Sequence, residues 1–253
     1  MFRQINNLRK LGRFRTLSPM WRVSKPKIFR EHPSLEITSV LDMVIAKECT
    51  NLNRPLYFVQ IGAFDGKTGD PLFKLVKSQG WNGILVEPQP DAFKALKANY
   101  DSQSGLQFFQ VAVGPENGQI SFYTRQSGEA RVASTQKHLI VKPGHAVNDV
   151  EEIKVPCWTF DKLLCEAEAP QQIDLLQIDA EGFDFEIIKS IDFEDCRPTI
   201  LRFEHVVMSA QDTNDCLTLL ADQGYRFLLE NDDTTAILQP KARSNSGPIL
   251  RVA

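Results

Sequence analysis

The sequence predicts an α/β domain: a mostly parallel sheet, doubly wound with helices on both faces, and one antiparallel strand near an edge. The first observation behind this is alternation. Short apolar runs recur between segments of helical apolar spacing, the pattern of strands buried on both sides and joined by crossover helices. The second is where the runs stop. Ile61-Gly62, Val86-Glu87, Ile178-Asp179 and Phe203-Glu204 each end an apolar run on a glycine or an acid, so these strands feed turns along one edge of the sheet. The third is the closing pair, 225–229 and 235–238, whose connection is too short for a crossover and whose strands must therefore run antiparallel. With 253 residues, 42% hydrophobic and 24% charged, the chain has enough apolar mass to bury one such core.

Taken in order, residues 35–49 carry apolar positions at 35, 37, 40, 41, 44 and 45, a helical spacing. Residues 56–61 read as a buried strand ending in glycines. A short helix over 70–78 follows, with Pro71 in its first turn. A second strand, 83–86, ends at Glu87-Pro88, and a helix over 90–100 sets Phe93, Leu96 and Tyr100 on one face. A third strand covers 106–113. Asn117-Gly118 is a hairpin signal leading into 119–124. Residues 125–150 are polar, with Gly128, Pro143 and Gly144, and read as a long mobile loop of the kind that is functional when it occurs in a compact domain. A short helix at 159–164, a strand at 173–178, a helix at 183–190, a strand at 199–203 and a helix at 210–223 precede the closing pair.

Charge is unevenly placed. Residues 1–30 hold nine basic side chains and no acid, which leaves 20 basic against 32 acidic residues in the remainder, a net of −12. An acidic body disfavours nucleic acid as a partner, since phosphate binding rests on positive charge. The basic segment, 1–34, is expected to be an extension of the domain at 35–253. Its stripe of Phe2, Ile5, Leu8, Leu11, Phe14 and Leu17 suits peripheral membrane contact, a transit peptide or docking to a partner, with a helix packed on the domain or a tail as the plainer reading. No run of apolar residues reaches the length of a membrane span. Cys49, Cys157, Cys165, Cys196 and Cys216 form no ligand cluster and read as reduced thiols, hence a cytoplasmic expectation.

The stretch Gly62-Ala63-Phe64-Asp65-Gly66-Lys67-Thr68 invites a phosphate-loop reading, but its first glycine stands one residue too late, where Ile61 occupies the required place. A dinucleotide fingerprint fails as well, because Phe64 replaces the glycine that lets backbone approach a pyrophosphate. What is left is a strand, a Gly-x-x-x-Gly bend and an acid, Glu87, ending the next strand. That combination suits a nucleoside carried without a pyrophosphate.

IGAFDG, LVEPQPDAF, QVAVG and LLQIDAEGFDFEIIKS, in that order, resemble the FkbM family of S-adenosylmethionine-dependent methyltransferases over residues 55–208. The resemblance implies a Rossmann-like class I methyltransferase fold with a seven-stranded sheet, S-adenosyl-L-methionine as methyl donor, and O-methylation of a sugar, glycan or small metabolite. Carried over by position, Gly62, Ala63 and Gly66 lie under the methionine half of the donor. Glu87 binds the ribose with Pro88 and Gln89 beside it, Gln110, Val111 and Ala112 edge the adenine, and Asp179 ends the fourth strand near the sulfur. Gln60 stands where many donor loops of this class carry an acid, so Asp65 or Asp179 is expected to supply the missing charge.

Asp179, Glu181, Glu204 and His205 are expected at one rim, with His205 as candidate base beside Asp179 and Glu204. A structurally bonded histidine is the plain alternative. Carboxylates also suit a hard divalent cation, but donor contacts and helix capping account for these acids, and no metal is expected. Arg125, Arg131 and Lys137 are read as solvated, His138 and His145 have no assigned role, and Trp81 and Trp158 are read as packing. A catalytically silent scaffold that keeps the fold is the rival to the enzyme.

Overall fold

The computed structural model describes residues 39–49, 51–125, 134–135 and 150–239. Ser39 starts the first helix, α1 (Val40–Glu48), through a reciprocal cap: its hydroxyl accepts from the Asp42 N–H while the Asp42 carboxylate accepts from its own N–H. Then follow β1 (Tyr57–Ile61), α2 (Phe73–Gln79), β2 (Asn82–Val86), α3 (Pro90–Asn99), β3 (Leu106–Phe109), β4 (Ala112–Val113) and β5 (Gly118–Arg125). The rest of the chain adds β6 (Val150–Trp158), α4 (Phe160–Glu166), β7 (Leu175–Ile178), α5 (Asp184–Lys189), β8 (Ile200–Glu204), α6 (Ala210–Asp222), β9 (Tyr225–Leu229) and β10 (Asp233–Leu238).

Seven strands form the main sheet in the order β3-β2-β1-β7-β8-β10-β9, and β10 alone runs against its neighbours. Successive side chains of each strand point to opposite faces, so two apolar layers form. Phe58, Leu85, Leu175 and Ile200 face α1, α2 and α3, meeting Leu41, Val44, Leu72, Val76 and Leu96. Val59, Ile61, Val86, Ile178 and Phe203 face α4, α5 and α6, meeting Phe160, Leu163, Ile187, Ile188, Cys216 and Leu220. Each fully buried Phe or Leu among them contributes roughly 1.5–3 kcal/mol. The expected doubly wound, mostly parallel seven-stranded sheet with one antiparallel strand is the fold observed.

A second sheet was not anticipated. The strand expected over 106–113 is broken at Gln110-Val111: β3 stays in the main sheet and β4 leaves it to pair with β6. The Asn117-Gly118 turn does not fold β5 back onto β4, because β6 lies between them in the order β4-β6-β5. β6 pairs antiparallel with the whole of β5, from Gly118 opposite Cys157 to Arg125 opposite Val150.

Of the expected 125–150 loop, only the Ser134–Thr135 pair and the strand ends at 125 and 150 are described, and Ser134 bridges back to Tyr123 by paired backbone hydrogen bonds. Arg131, Lys137, His138, His145 and the basic segment 1–34 lie outside the described residues. No described helix is long and apolar enough to cross a membrane.

Candidate functional site

Beside β1 the chain order reverses: β2 and β3 lie on one side, β7 and β8 on the other. In open α/β sheets the ligand crevice opens at such a point, outside the carboxyl ends of the strands. A cavity of about 330 Å³ lies there, lined by Gln60, Gly62, Ala63, Glu87, Pro88, Ala112 and Asp179 among others. That volume is within the ordinary range for a small-molecule site.

The bend after β1 is tight because its backbone is spent internally. Gly62 and Ala63 both donate to the Val86 carbonyl, Gly66 donates to the Ala63 carbonyl, and Phe64 donates to Glu87 Oε2 at 2.8 Å. Gly62 takes φ 77°, and a Cβ there would run into the Asp179 carbonyl of neighbouring β7. Phe64 and Glu181, both lining the cavity, take φ 47° and 49°. Non-glycine residues hold that conformation at a cost of roughly 1–2 kcal/mol, and such strain gathers at ligand sites. With its N–H groups committed, the bend is no anion cradle, which needs free donors.

Glu87 is 3% exposed, its Oε1 accepting from the Gln89 N–H at 2.8 Å and its Oε2 from Phe64. Burial pushes its carboxyl up to about 7, against the lowering effect of the two N–H groups and with a further push from the Asp179 charge. The carboxylate therefore joins the ends of β1 and β2 while keeping lone pairs for a ligand.

Gln60 and Gln177 stand opposite each other on β1 and β7, 4% and 2% exposed, and both line the cavity. They break the apolar face that Phe58 and Leu175 begin. Gln177 Oε1 accepts from Arg202 Nη1 at 3.2 Å, and Arg202 is ion-paired to Asp233 at 2.5 Å. Gln60 Nε2 donates to Asp70 Oδ2 at 3.2 Å, whereas Gln60 Oε1 is buried with no partner. Leaving such an acceptor unmet costs about 1–3 kcal/mol.

At the rim, Asp184 is fully buried and accepts from the Ala180 N–H at 3.3 Å and the Glu204 N–H at 3.1 Å, tying the turn after β7 to the end of β8. Burial and the charge of Asp179 raise its carboxyl to about 7. Glu204 is pushed up to about 8 by burial and then by Asp179, Glu181, Asp184 and Asp233, and its Oε2 has no partner. His205 Nδ1 lies 3.1 Å from the Thr234 hydroxyl. Ser134 Oγ donates to the Glu181 carbonyl at 2.7 Å, and the neighbouring Thr135, whose hydroxyl is buried without a partner, is among the residues lining the cavity. Among the described residues no three His, Cys, Asp or Glu side chains converge so as to hold a metal ion.

A family model described as the methyltransferase FkbM domain matches residues 60–227. The chain belongs to the FkbM methyltransferase family. A relative, "Methyltransferase 1" of Beauveria bassiana (strain ARSEF 2860), is 23% identical over 161 residues, 59% of this chain and 65% of that protein. The solved FkbM methyltransferase from Methylobacillus flagellatus KT is similar at 14% identity and a TM-score of 0.46, over 74% of this chain and 45% of that one. A precorrin-6y C5,15-methyltransferase from Geobacter metallireducens GS-15 is similar at 12% identity and a TM-score of 0.43, over 80% of this chain and 90% of that one. The chain thus spans less than two thirds of the Beauveria relative and of the solved FkbM structure.

Within this FkbM domain the expected site residues divide by place. Gln60, Gly62, Ala63, Glu87, Pro88, Ala112 and Asp179 line the cavity, while Asp65, Gly66, Gln110, Glu204 and His205 do not. Asp65 closes its own turn, accepting from the Lys67 and Thr68 N–H groups. Gly66 packs under Leu96 of α3 and under Tyr100, the residue that caps its C-terminus. Gln110 is exposed at the break between β3 and β4. The sequence reading passed over Gln177, Asp70, Asp184, Arg202 and Thr135. For Gln177 a signal existed: FVQI and LLQI each place one glutamine before the last residue of an otherwise apolar strand.

Proposed function

We propose that this FkbM-family chain is an S-adenosyl-L-methionine-dependent methyltransferase that O-methylates a hydroxyl of a small molecule, sugar or glycan. The observation that carries the reading is Glu87, a buried carboxylate with spare lone pairs, held against the Gly62 bend at the mouth of a cavity about 330 Å³ in volume. A carboxylate so placed accepts from both hydroxyls of a ribose. The fit extends to what the bend lacks. With its N–H groups committed, it favours a nucleoside free of phosphate. Val111, Ala112 and Phe122 offer an apolar wall to a purine. Bound there, the donor supplies a methyl group on a sulfonium.

The chain's own contribution is position and proton acceptance. In this reading Gly62 and Ala63 pack against the methionine half, and Asp179 stands at the end of β7 close to the reacting centre. Glu204, at the rim and outside the cavity lining, is assigned the acceptor's hydroxyl proton over His205, because its buried Oε2 has no partner while the Nδ1 of His205 is engaged with Thr234. His205 then positions the acceptor beside it. The acidic rim of Asp179, Glu181, Glu204 and Asp233 favours neutral hydroxylated acceptors over nucleic acid. The five cysteines, all free thiols, favour a reducing, cytoplasmic setting, and residues 1–34 are assigned as an extension or tail of the domain.

The test is direct binding of S-adenosylmethionine by calorimetry to the wild-type chain and to Glu87→Ala. Wild type is expected to bind, and the variant to lose affinity by about ten- to a hundredfold, the worth of charge-assisted hydrogen bonds to the ribose. Equal affinity in both would remove the site.

A further inference from the structure

We infer that β9, the last strand of the main sheet, pairs with the β9 of a second copy of this chain, antiparallel about a two-fold axis at Leu228. The inference does not depend on the donor reading above.

β9 ends the strand order, and β10 is its one neighbour among the described residues. The run Tyr225-Arg226-Phe227-Leu228-Leu229 holds no proline and no lysine, and it pairs with β10 residue for residue, without a bulge. Three of the devices that blunt a sheet edge are therefore missing here. The parity of the ladder says which groups face outward. Glu230 N–H donates to the Asp233 carbonyl at 2.8 Å, and Gln239 N–H donates to the Gly224 carbonyl at 3.0 Å. In register with these bonds, the even-numbered positions commit their backbone to β10. Tyr225, Phe227 and Leu229 then turn their N–H and C=O groups to the open side.

The side chains say what covers that side. Met43, Val206, Leu228 and Leu229 are the large hydrophobics left exposed among the described residues, and two of the four fall on this edge. Self-pairing about Leu228 sets Leu228 against its own copy and Leu229 against the half-buried Phe227 of the other. It also sets Arg226 against Glu230, and the two-fold makes that pair twice. Arg226 is exposed and makes no ion pair within its own chain among the described residues. Glu230 meets Arg202 at 3.7 Å and the Thr235 hydroxyl at 3.5 Å, both through Oε2, which leaves Oε1 for a second guanidinium. Arg226 and Glu230 fall at non-hydrogen-bonded positions of the new ladder, where facing side chains come closest. An axis at Phe227 would instead face Arg226 with Leu228 and leave Glu230 opposite Gly224, so the charges choose the register. The contact also reaches toward the site. In the turn that Glu230 begins, the Asp232 carbonyl accepts from the His205 and Val206 N–H groups, so the second copy braces the turn beside the Glu204 rim.

Sedimentation velocity on the full chain tests the pairing. At roughly 100 μM, a loading that detects weak association, wild type is expected at twice the 28.6 kDa of one chain. Leu228→Asp and Leu228→Lys each set two like charges face to face on the axis, at an exposed position that the fold does not need. Each is expected to raise the dissociation constant by at least about tenfold. Their equimolar mixture is expected to dimerise again, because Asp then faces Lys. Met43→Asp, at an exposed apolar position on α1, is expected to change nothing. A monomeric wild type overturns the pairing, as does a dimer that both Leu228 variants leave intact. A mixture that stays monomeric, or a Leu228→Asp chain that dimerises more tightly by meeting Arg226, overturns the axis at Leu228.

Discussion

Burial sets the charge of the carboxylates that matter most here. Glu204 is held up to about 8, and a proton acceptor must be empty before it can act. Turnover is therefore expected to rise as pH climbs through that range, with the limb at or below about 8 because a bound cationic donor favours the ionised acid. In Glu204→Gln the limb should vanish and turnover fall by about 10²–10⁴-fold while donor affinity holds, measured as a pH–rate profile beside calorimetry. A profile unaltered in the variant would return the base to His205. Residues of this kind are only half legible in a sequence. Glu87 and Glu204 announce themselves by ending apolar runs, but the protonation of Glu204 depends on Asp179, Asp184 and Asp233, which the fold gathers from distant segments. Asp184 gave no hint at all, since an acid at the start of a helix ordinarily faces water as a favourable dipole partner, and here it is fully buried.

Among the elements, the bend after β1 and helix α3 are fitted to each other at Gly66. With φ 65° and a hypothetical Cβ meeting Leu96 and Tyr100, Gly66→Ala combines backbone strain with overpacking. The expected cost is about 2–4 kcal/mol, read as a lower midpoint of urea unfolding with unchanged slope. If that midpoint stays put, the glycine is not packed as described. The central strands β1, β2 and β7 were legible because each is an apolar run that stops at a glycine or an acid. The second sheet was not, for a physical reason. β6 carries Glu151, Glu152 and Pro156, and a proline in a run argues against a strand. Pro156 is tolerated because β4 reaches only Cys157 and Trp158, leaving β6 paired on one side alone where the proline sits. The Asn117-Gly118 turn misled in a similar way: its local chemistry is right, yet the strand that pairs with β5 arrives from residues 150–158.

For the whole molecule, the raised carboxyls act in one direction. Glu87 and Asp184 near 7, Asp233 near 6 and Glu204 near 8 all hold protons more tightly folded than unfolded. The stability they contribute is fully present below the usual carboxylate range near 4 and is lost as pH rises through these values, because the folded state binds more protons across that interval. Chemical denaturation at fixed temperature should therefore show unfolding free energy from these groups declining between about pH 4 and pH 8. A free energy that climbs over that window would contradict the burial of these acids. Asp184 bears on position as well as on charge. One carboxylate accepts from the turn that carries Asp179 and from the last residue of β8, so it works as a yoke between two banks of the crevice. Its two oxygens serve one bank each, Oδ2 the Ala180 N–H and Oδ1 the Glu204 N–H. In the proposed reading, with the donor beside Asp179 and the acceptor beside Glu204, this one side chain is a direct tie between the two.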